Sequence, residues 1–217
     1  MKEISVSYLI GTHNEGIGYL KPLFENLLKF VEENDEIVVV DDYSDDSPTL
    51  EVLESYKDKI NLVKHKFNGD FSTHKNFMIS QCKGDFIFNI DGDELPSVSL
   101  LSTLKEVILL NENVDLFYVP RVNVVKGLTA EDTSKWGWKL NDKGWVQYPD
   151  YQGRIFRNRP DIKWEGIVHE RIVGTDKHTL LPAFDGDNNP YTDYAILHIK
   201  DIDRQRNQNA LYDQISN

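Results

Sequence analysis

Two apolar runs in this chain stop abruptly at carboxylates. Ile37-Val38-Val39-Val40 ends at Asp41-Asp42, and Phe86-Ile87-Phe88-Asn89-Ile90 ends at Asp91-Gly92-Asp93-Glu94. Neither run alternates apolar with polar residues, so each reads as a strand covered on both faces, as in a parallel sheet flanked by helices. The C-terminal strand ends of such a sheet share one edge, and open α/β sheets bind ligands there. Asp91 and Asp93, with a glycine between them, suit a hard divalent cation and the phosphate oxygens it carries. Asp-Gly is also a common turn dipeptide, so the rest of the chain must decide between site and turn.

The surrounding pattern favours the sheet. Ile4 to Ile10 reads as a first strand ending at Gly11-Thr12-His13-Asn14-Glu15, and a helix follows with Ile17, Leu20, Phe24, Leu27, Leu28 and Val31 at helical spacing. Ser47-Pro48 carries the start signature of a second helix with Leu50, Leu53 and Tyr56. A strand over 60–65, a helix over 71–82 and the acidic-ended strand complete a β-α-β-α-β-α-β alternation, which predicts a largely parallel, doubly wound sheet. A helix over 97–110 and a strand over 116–125 come next. Residues 126–150 break the pattern with Gly, Asn, Asp, Trp136, Trp138, Trp145 and Tyr148. A loop of that length is functional or mobile. Strands are expected over 154–157, 164–173 and 193–199, and a polar helix over 201–215. One domain over 1–217 is expected: a ligand-binding half over 1–125, a second half over 126–200, and the terminal helix.

Composition narrows the function. The formal net charge of −12 and pI near 4.9 disfavour nucleic acid as a partner, because such binders present a basic face. Cys82 is the single cysteine, which excludes an intrachain disulfide and a cysteine zinc site. No stretch approaches the roughly 18 apolar residues of a membrane span, and the N-terminus lacks a signal-peptide core. A soluble, cytoplasmic protein is expected, free or at the inner membrane surface. The terminal helix around Ile202, Leu211 and Ile215 caps the domain or pairs with a second copy as a homodimer.

Several motifs fail on inspection. Gly11 and Gly16 have P-loop spacing, but Ile17 stands where lysine is required. Gly16 and Gly18 begin a dinucleotide fingerprint whose third glycine is replaced by Lys21. Asn89, Asp91 and Asp93 imitate the start of an EF-hand, but Glu94 replaces its glycine. What remains is the pair of acidic strand ends. Clustered carboxylates repel and raise one another's pKa values, and a divalent metal with an anionic ligand relieves that. The inference is a site for a metal-bound phosphate compound, a nucleotide derivative above all. Arg154 and Arg157 are candidates to hold a diphosphate by charge-assisted forks, although residues alternate along a strand and only one of the two need face the site.

The same segments, in order over about residues 4–200, resemble a family 2 glycosyltransferase of the GT-A fold. Thr12-His13-Asn14-Glu15 resembles the family's Thr-x-Asn-Glu segment. Asp35 to Asp46 resembles its second strand and nucleotide-binding turn, and Lys75-Asn76 its basic helix start. Asp91-Gly92-Asp93-Glu94 resembles the Asp-x-Asp metal motif. Trp164 to Glu170 resembles a late His-Glu motif of the branch acting on lipopolysaccharide-core sugars.

That resemblance implies an inverting, metal-dependent transfer of a sugar from a nucleotide-sugar donor, a UDP-sugar foremost, to a hydroxyl of a saccharide or glycolipid. Thr12 and Asp41 or Asp42 would contact base and ribose, within a binding segment that includes Asn14 and Glu15. Lys75, Asn76 and Arg154 would lie near the diphosphate or donor sugar. Asp91 would approach ribose and metal, and Asp93 would ligate Mn²⁺ or Mg²⁺. Direct displacement needs a general base. Glu170 is the first candidate, followed by Glu165 and Asp150, with His169 beside them. His169 and His198 are metal ligands or phosphate contacts, or else strand histidines satisfied by hydrogen bonds. The Trp136, Trp138, Trp145, Tyr148 group stacks acceptor rings or forms a small apolar cluster. Two competing functions are a nucleotidyltransferase making the sugar nucleotide, disfavoured because 11–18 contains no Lys or Arg, and a non-catalytic sugar- or nucleotide-binding module.

Overall fold

The chain begins β1 (Val6–Thr12), α1 (Ile17–Leu27), β2 (Glu36–Asp41), α2 (Ser47–Tyr56), β3 (Asn61–Lys64) and α3 (Phe71–Ser80). It continues through β4 (Phe86–Asp91), β5 (Glu94–Pro96), α4 (Val98–Leu110), β6 (Leu116–Lys126) and α5 (Ala130–Trp136). It closes with β7 (Val146–Arg157), β8 (Lys163–Glu165), β9 (Arg171–Val173), β10 (His178–Leu180), β11 (Ile196–Asp201) and α6 (Ile202–Ser216). This computed structural model describes residues 3–167, 170–183 and 194–216, the side chains of 211–216 excepted.

Nine strands form one sheet in the order β3-β2-β1-β4-β7-β6-β11-β5, with β10 alongside the first part of β6. The four strands from β3 to β4 are mutually parallel. The register sets Thr12 beside Asp41 and Gly11 beside Asp91, so the tips of β2 and β4 flank the tip of β1 on one edge. Beyond β4 the sheet is mixed. β7 runs antiparallel to both β4 and β6, β11 is parallel to β6, and β5 returns antiparallel on β11.

Because side chains alternate along a strand, the parallel half feeds two cores. Val6, Tyr8 and Ile10 with Ile37, Val39, Phe88 and Ile90 pack under Leu20, Phe24, Val52, Leu104 and Ile108 of α1, α2 and α4. Leu9, Val38, Val40 and Ile87 face the opposite way, against Met78 of α3, Phe156 and Trp164 of β8. This is the doubly covered sheet that the unbroken apolar runs require.

Helix starts follow local rules. Asp46, Asp70 and Ser97 each accept a hydrogen bond from the backbone N–H three residues on, capping α2, α3 and α4. The cap of α2 therefore lies at Asp46, one residue before the expected Ser47.

Two expectations change. Residues 126–150 are not structureless: Thr129 and Asp132 close a reciprocal capping box that starts α5, Gly137 ends it in the left-handed region, and β7 begins at Val146. The single strand expected over 164–173 is two short strands, β8 and β9, paired antiparallel as a separate two-stranded sheet. Gly166 takes φ 109° between them, a conformation that interrupts a strand of L-residues. No helix among the described residues is long and apolar enough to cross a membrane. Ile202 of α6 packs over Gly127; the side chains of Leu211 and Ile215 lie outside the described residues.

Candidate active site

The tips of β1 and β2 form the first wall. Asp41 is fully buried, and its Oδ1 accepts the Ser44 N–H at 2.9 Å. Its Oδ2 is buried without a hydrogen-bond partner, 3.9 Å from Lys64 Nζ. Asp42 Oδ1 accepts the Phe67 N–H at 2.8 Å and thereby ties down the segment after β3. Asn14, at φ 59°, uses both ends of its amide on the next turn: Oδ1 accepts the Asp45 N–H at 2.9 Å, and Nδ2 donates to Asp45 Oδ1 at 2.9 Å. Its role here is to join the β1 and β2 loops. Thr12 is buried and donates to Glu15, which also accepts the His13 N–H. Burial pushes the Glu15 carboxyl up, and the charge of Asp93 adds to that.

Asp41 and Asp42 do not join Asp91 and Asp93 in a common side-chain cluster. Among the described residues, no three His, Cys, Asp or Glu side chains converge on a common point. The parallel register puts a whole strand, β1, between the two acidic tips.

The second wall is a charged row that crosses five neighbouring strands. Register explains it: His198 of β11 stands opposite Glu94 of β5 on one side and Asn123 of β6 on the other, while Arg121 of β6 faces Asp150 of β7. Arg154, also on β7, is buried, and its Nη2 donates to Asp91 Oδ2 at 2.7 Å and to Glu94 Oε1 at 2.6 Å. Glu94 is buried and satisfied, taking Arg121 as well at 3.1 Å and the Asp91 N–H through Oε2. Burial alone would raise Asp91, but Arg154 and Lys75 hold it well below the ordinary carboxylate range. Asp150 takes Arg121 through Nε and Nη2, Asn123 Nδ2 and Gln152 Nε2, all within 2.9 Å. With its lone pairs so committed, it is poorly placed to serve as a base.

Asp93 sits among cations. Its Oδ2 lies 3.4 Å from His198 Nε2, 3.8 Å from Lys200 Nζ and 3.1 Å from Arg204 Nη2. Burial opposes ionisation, yet His198 and Lys200 keep its carboxyl far below 3.8. Burial pushes Lys200 down in turn. Repulsion within this acidic cluster is thus relieved by the chain's own arginines and lysine.

One part of the row suits a metal. Asp150 can only accept, so it takes the Nδ2 side of Asn123, leaving Oδ1 to face His198 Nδ1 at 2.8 Å. That partner fixes the ring hydrogen on Nδ1 and leaves Nε2 aimed at Asp93. A neutral His198 would then set a lone pair against a carboxylate at 3.4 Å, a contact that a proton or cation must bridge. An imidazole nitrogen backed by an oriented second partner, next to a carboxylate oxygen, is the pair of described side chains in this row that could hold a divalent ion, two ligands without a third from His, Cys, Asp or Glu.

The third wall comes from α3 and the β8–β9 hairpin. Asn76 is bound to the backbone of Trp164 at both ends, Nδ2 to its carbonyl at 2.9 Å and Oδ1 to its N–H at 2.8 Å. The expected ligand contact is replaced by a clamp on β8. Lys75 lies 4.3 Å over the Trp164 ring and is ion-paired with Glu170, both side chains being only 15% exposed. Glu165 is exposed, paired with Lys163 and on the strand face opposite to Trp164, so it does not join Lys75. His169 lies outside the described residues.

The aromatic group divides. Trp145 and Tyr148 pack with Val122, Ala195 and Leu197 in a third core, whereas Trp136 and Trp138 pair 4.7 Å apart at the half-exposed end of α5. Sequence reasoning missed Arg121, Lys200 and Arg204. No local signal marks them, since each meets its carboxylate only through long-range folding.

Comparison with known proteins follows the same segments. The family model described as glycosyl transferase family 2 matches residues 7–169. A glycosyltransferase GlyG of Streptococcus pneumoniae is 32% identical over 102 residues, covering 46% of this chain and 33% of that protein. The poly(ribitol-phosphate) beta-N-acetylglucosaminyltransferase TarS of Staphylococcus aureus is 32% identical over 93 residues, covering 41% of this chain and 16% of its own. The crystal structure of S. aureus TarS 1–349 in complex with UDP-GlcNAc superposes with a TM-score of 0.59 at 20% identity, over 91% of this chain and 59% of that one. The chain therefore spans a sixth to a third of these curated relatives, and the structural likeness bears on the GT-A fold.

Proposed function

This chain belongs to glycosyl transferase family 2, and from that premise we propose that it transfers a sugar from a UDP-sugar to an acceptor hydroxyl, with inversion at the anomeric carbon. The reading rests first on Asp93 and His198, whose facing oxygen and nitrogen, 3.4 Å apart, are backed by Asn123 and Asp150. Mn²⁺ or Mg²⁺ would be held there, with Asp91 beside it. When bound, the ion supplies Lewis-acid neutralisation of the departing diphosphate.

The chain's own residues do the rest. The β1 and β2 tips around Thr12, Asp41 and Asp42 receive the nucleoside, and Arg154 keeps Asp91 turned toward the ligand edge. Glu170 is the proposed base, because Asp150 is committed to four donors and Glu165 faces away. It takes the acceptor proton as the acceptor oxygen bonds to the anomeric carbon and the bond to the diphosphate breaks. Lys75 holds the Glu170 carboxylate in place and regains it as partner after proton release.

The acceptor is a saccharide or glycolipid. The Trp164–Glu170 segment supports kinship with the branch acting on lipopolysaccharide-core sugars, and the half-exposed Trp136–Trp138 pair supports ring stacking. A cytoplasmic site of action, at the inner membrane surface for a glycolipid acceptor, belongs to this reading.

The test is release of UDP from UDP-sugars with Mn²⁺, compared with EDTA. Asp93→Asn should lower turnover on the order of 100-fold or more while leaving the fold intact. Full activity in EDTA would refute metal dependence, and release of pyrophosphate from a triphosphate substrate would refute transfer altogether.

A further inference from the structure

We propose that Arg204 of α6 is a diphosphate latch: it bridges Glu15 and Asp93 in the ligand-free protein and moves onto the donor's phosphate oxygens when the donor binds. This rests on the reading of the site as a nucleotide-sugar site. Arg204 Nη2 lies 3.1 Å from Asp93 Oδ2 and 3.4 Å from Glu15 Oε1, so one nitrogen serves two carboxylates. Those carboxylates repel, since each is largely buried and both lie within 3.4 Å of the same nitrogen. A cation between them eases that repulsion.

Arg204 differs from the other arginines of the row. Arg154 is buried at 4% side-chain exposure and Arg121 at 19%, whereas Arg204 is 33% exposed and lies over the Tyr19 ring at 5.1 Å. It comes from α6, whose other described ties to the body are polar. Arg206 pairs with Asp132 of α5 at 3.0 Å, and Lys200 donates to Gln208 at 2.5 Å, with Ile202 over Gly127 as the apolar contact.

The exchange has a driving force. A ligand shifts a side chain only if it binds one position better than the other. At Glu15 and Asp93, Arg204 makes two long contacts from one nitrogen; a diphosphate offers fork-like, charge-assisted pairing. Asp93 keeps a cation beside it, because Lys200 stays within 3.8 Å. Arg204 thereby becomes a group that touches the leaving diphosphate.

The experiment is isothermal titration of UDP and of uridine into wild-type protein, Arg204→Gln and Arg204→Lys, with thermal melts to verify folding. Arg204→Gln should weaken UDP about tenfold or more and leave uridine within about twofold; Arg204→Lys should recover part of the loss. Backbone amides of 202–210 should exchange more slowly in wild type with UDP than with uridine. Parallel loss of uridine and UDP would make Arg204 a structural tie, and unchanged UDP affinity would remove it from the site; either overturns the latch alone. Failure of wild-type protein to bind either ligand would sink the donor reading together with the latch.

Discussion

The two sides of the ligand edge spend their polar side chains differently. Around β1, β2 and α3, polar groups are consumed by nearby backbone: Asn14 holds the turn at Asp45, Asp41 and Asp42 hold Ser44 and Phe67, and Asn76 holds Trp164. Around β4, β6, β7 and β11, side chains meet other side chains in one row of alternating charge. Parallel strand tips followed by helices leave loops whose amides need partners. Antiparallel β7 instead carries Asp150 and Arg154 past β4 and β6, so charges from distant segments come to stand side by side. The first side shapes a pocket; the second handles charge.

Four changes would break or sharpen that contrast. Glu94→Ala should have the largest effect, since it removes the buried carboxylate that Arg154 and Arg121 share and leaves each arginine with one partner, Asp91 or Asp150; about 2–4 kcal/mol of unfolding free energy should be lost in urea titrations. A loss below about 1 kcal/mol would mean the row is far wetter than its burial indicates.

Acid should act mainly on the charged side. Asp91, Asp93 and Asp150 have lowered pKa values in the fold, so the folded state binds fewer protons than the unfolded chain. Their stabilisation is complete above the ordinary value of 3.8 and is lost as pH falls through the lower folded values. Unfolding free energies compared at about pH 6 and pH 3 should differ by about 1 kcal/mol for each mostly buried carboxylate such as Asp93, and Asp93→Asn should flatten the difference.

Asn76→Ala removes two hydrogen bonds to the Trp164 backbone and should cost about 1–3 kcal/mol. Its effect on donor affinity should be smaller than its effect on melting; the reverse would make Asn76 a ligand contact after all. Glu165→Gln should do least, within about 0.5 kcal/mol and twofold in rate, because an exposed pair with Lys163 contributes little. A large rate loss there would displace Glu170 as the base.

The contrast also explains what could be read from residues alone. β1, β2 and β4 were legible because each is an unbroken apolar run of strand formers, and their acidic tips marked the ligand edge. The direction of β7 was not, since periodicity reports burial and not orientation. α5 had a local signal, Thr129 three residues before Asp132, that the aromatic density of 126–150 obscured. β5 and β10 are three residues each, too short for any period. The partners of the charged row lie far apart in sequence, Arg154 from Asp91 by 63 positions and Arg204 from Asp93 by 111. A chain with 36 acidic and 24 basic residues offers too many pairings for composition to choose among them.

The amide of Asn123 gives the charged row a polarity. Because Asp150 admits only donors, the amide can lie only one way round, and every hydrogen from there to the imidazole points toward β7. Replacing Asp150 by asparagine would free Asn123 to turn over, and His198 could then carry its hydrogen on the nitrogen that faces Asp93. A residue that touches neither Asp93 nor any sugar would thus decide whether that corner welcomes a positive ion or turns it away.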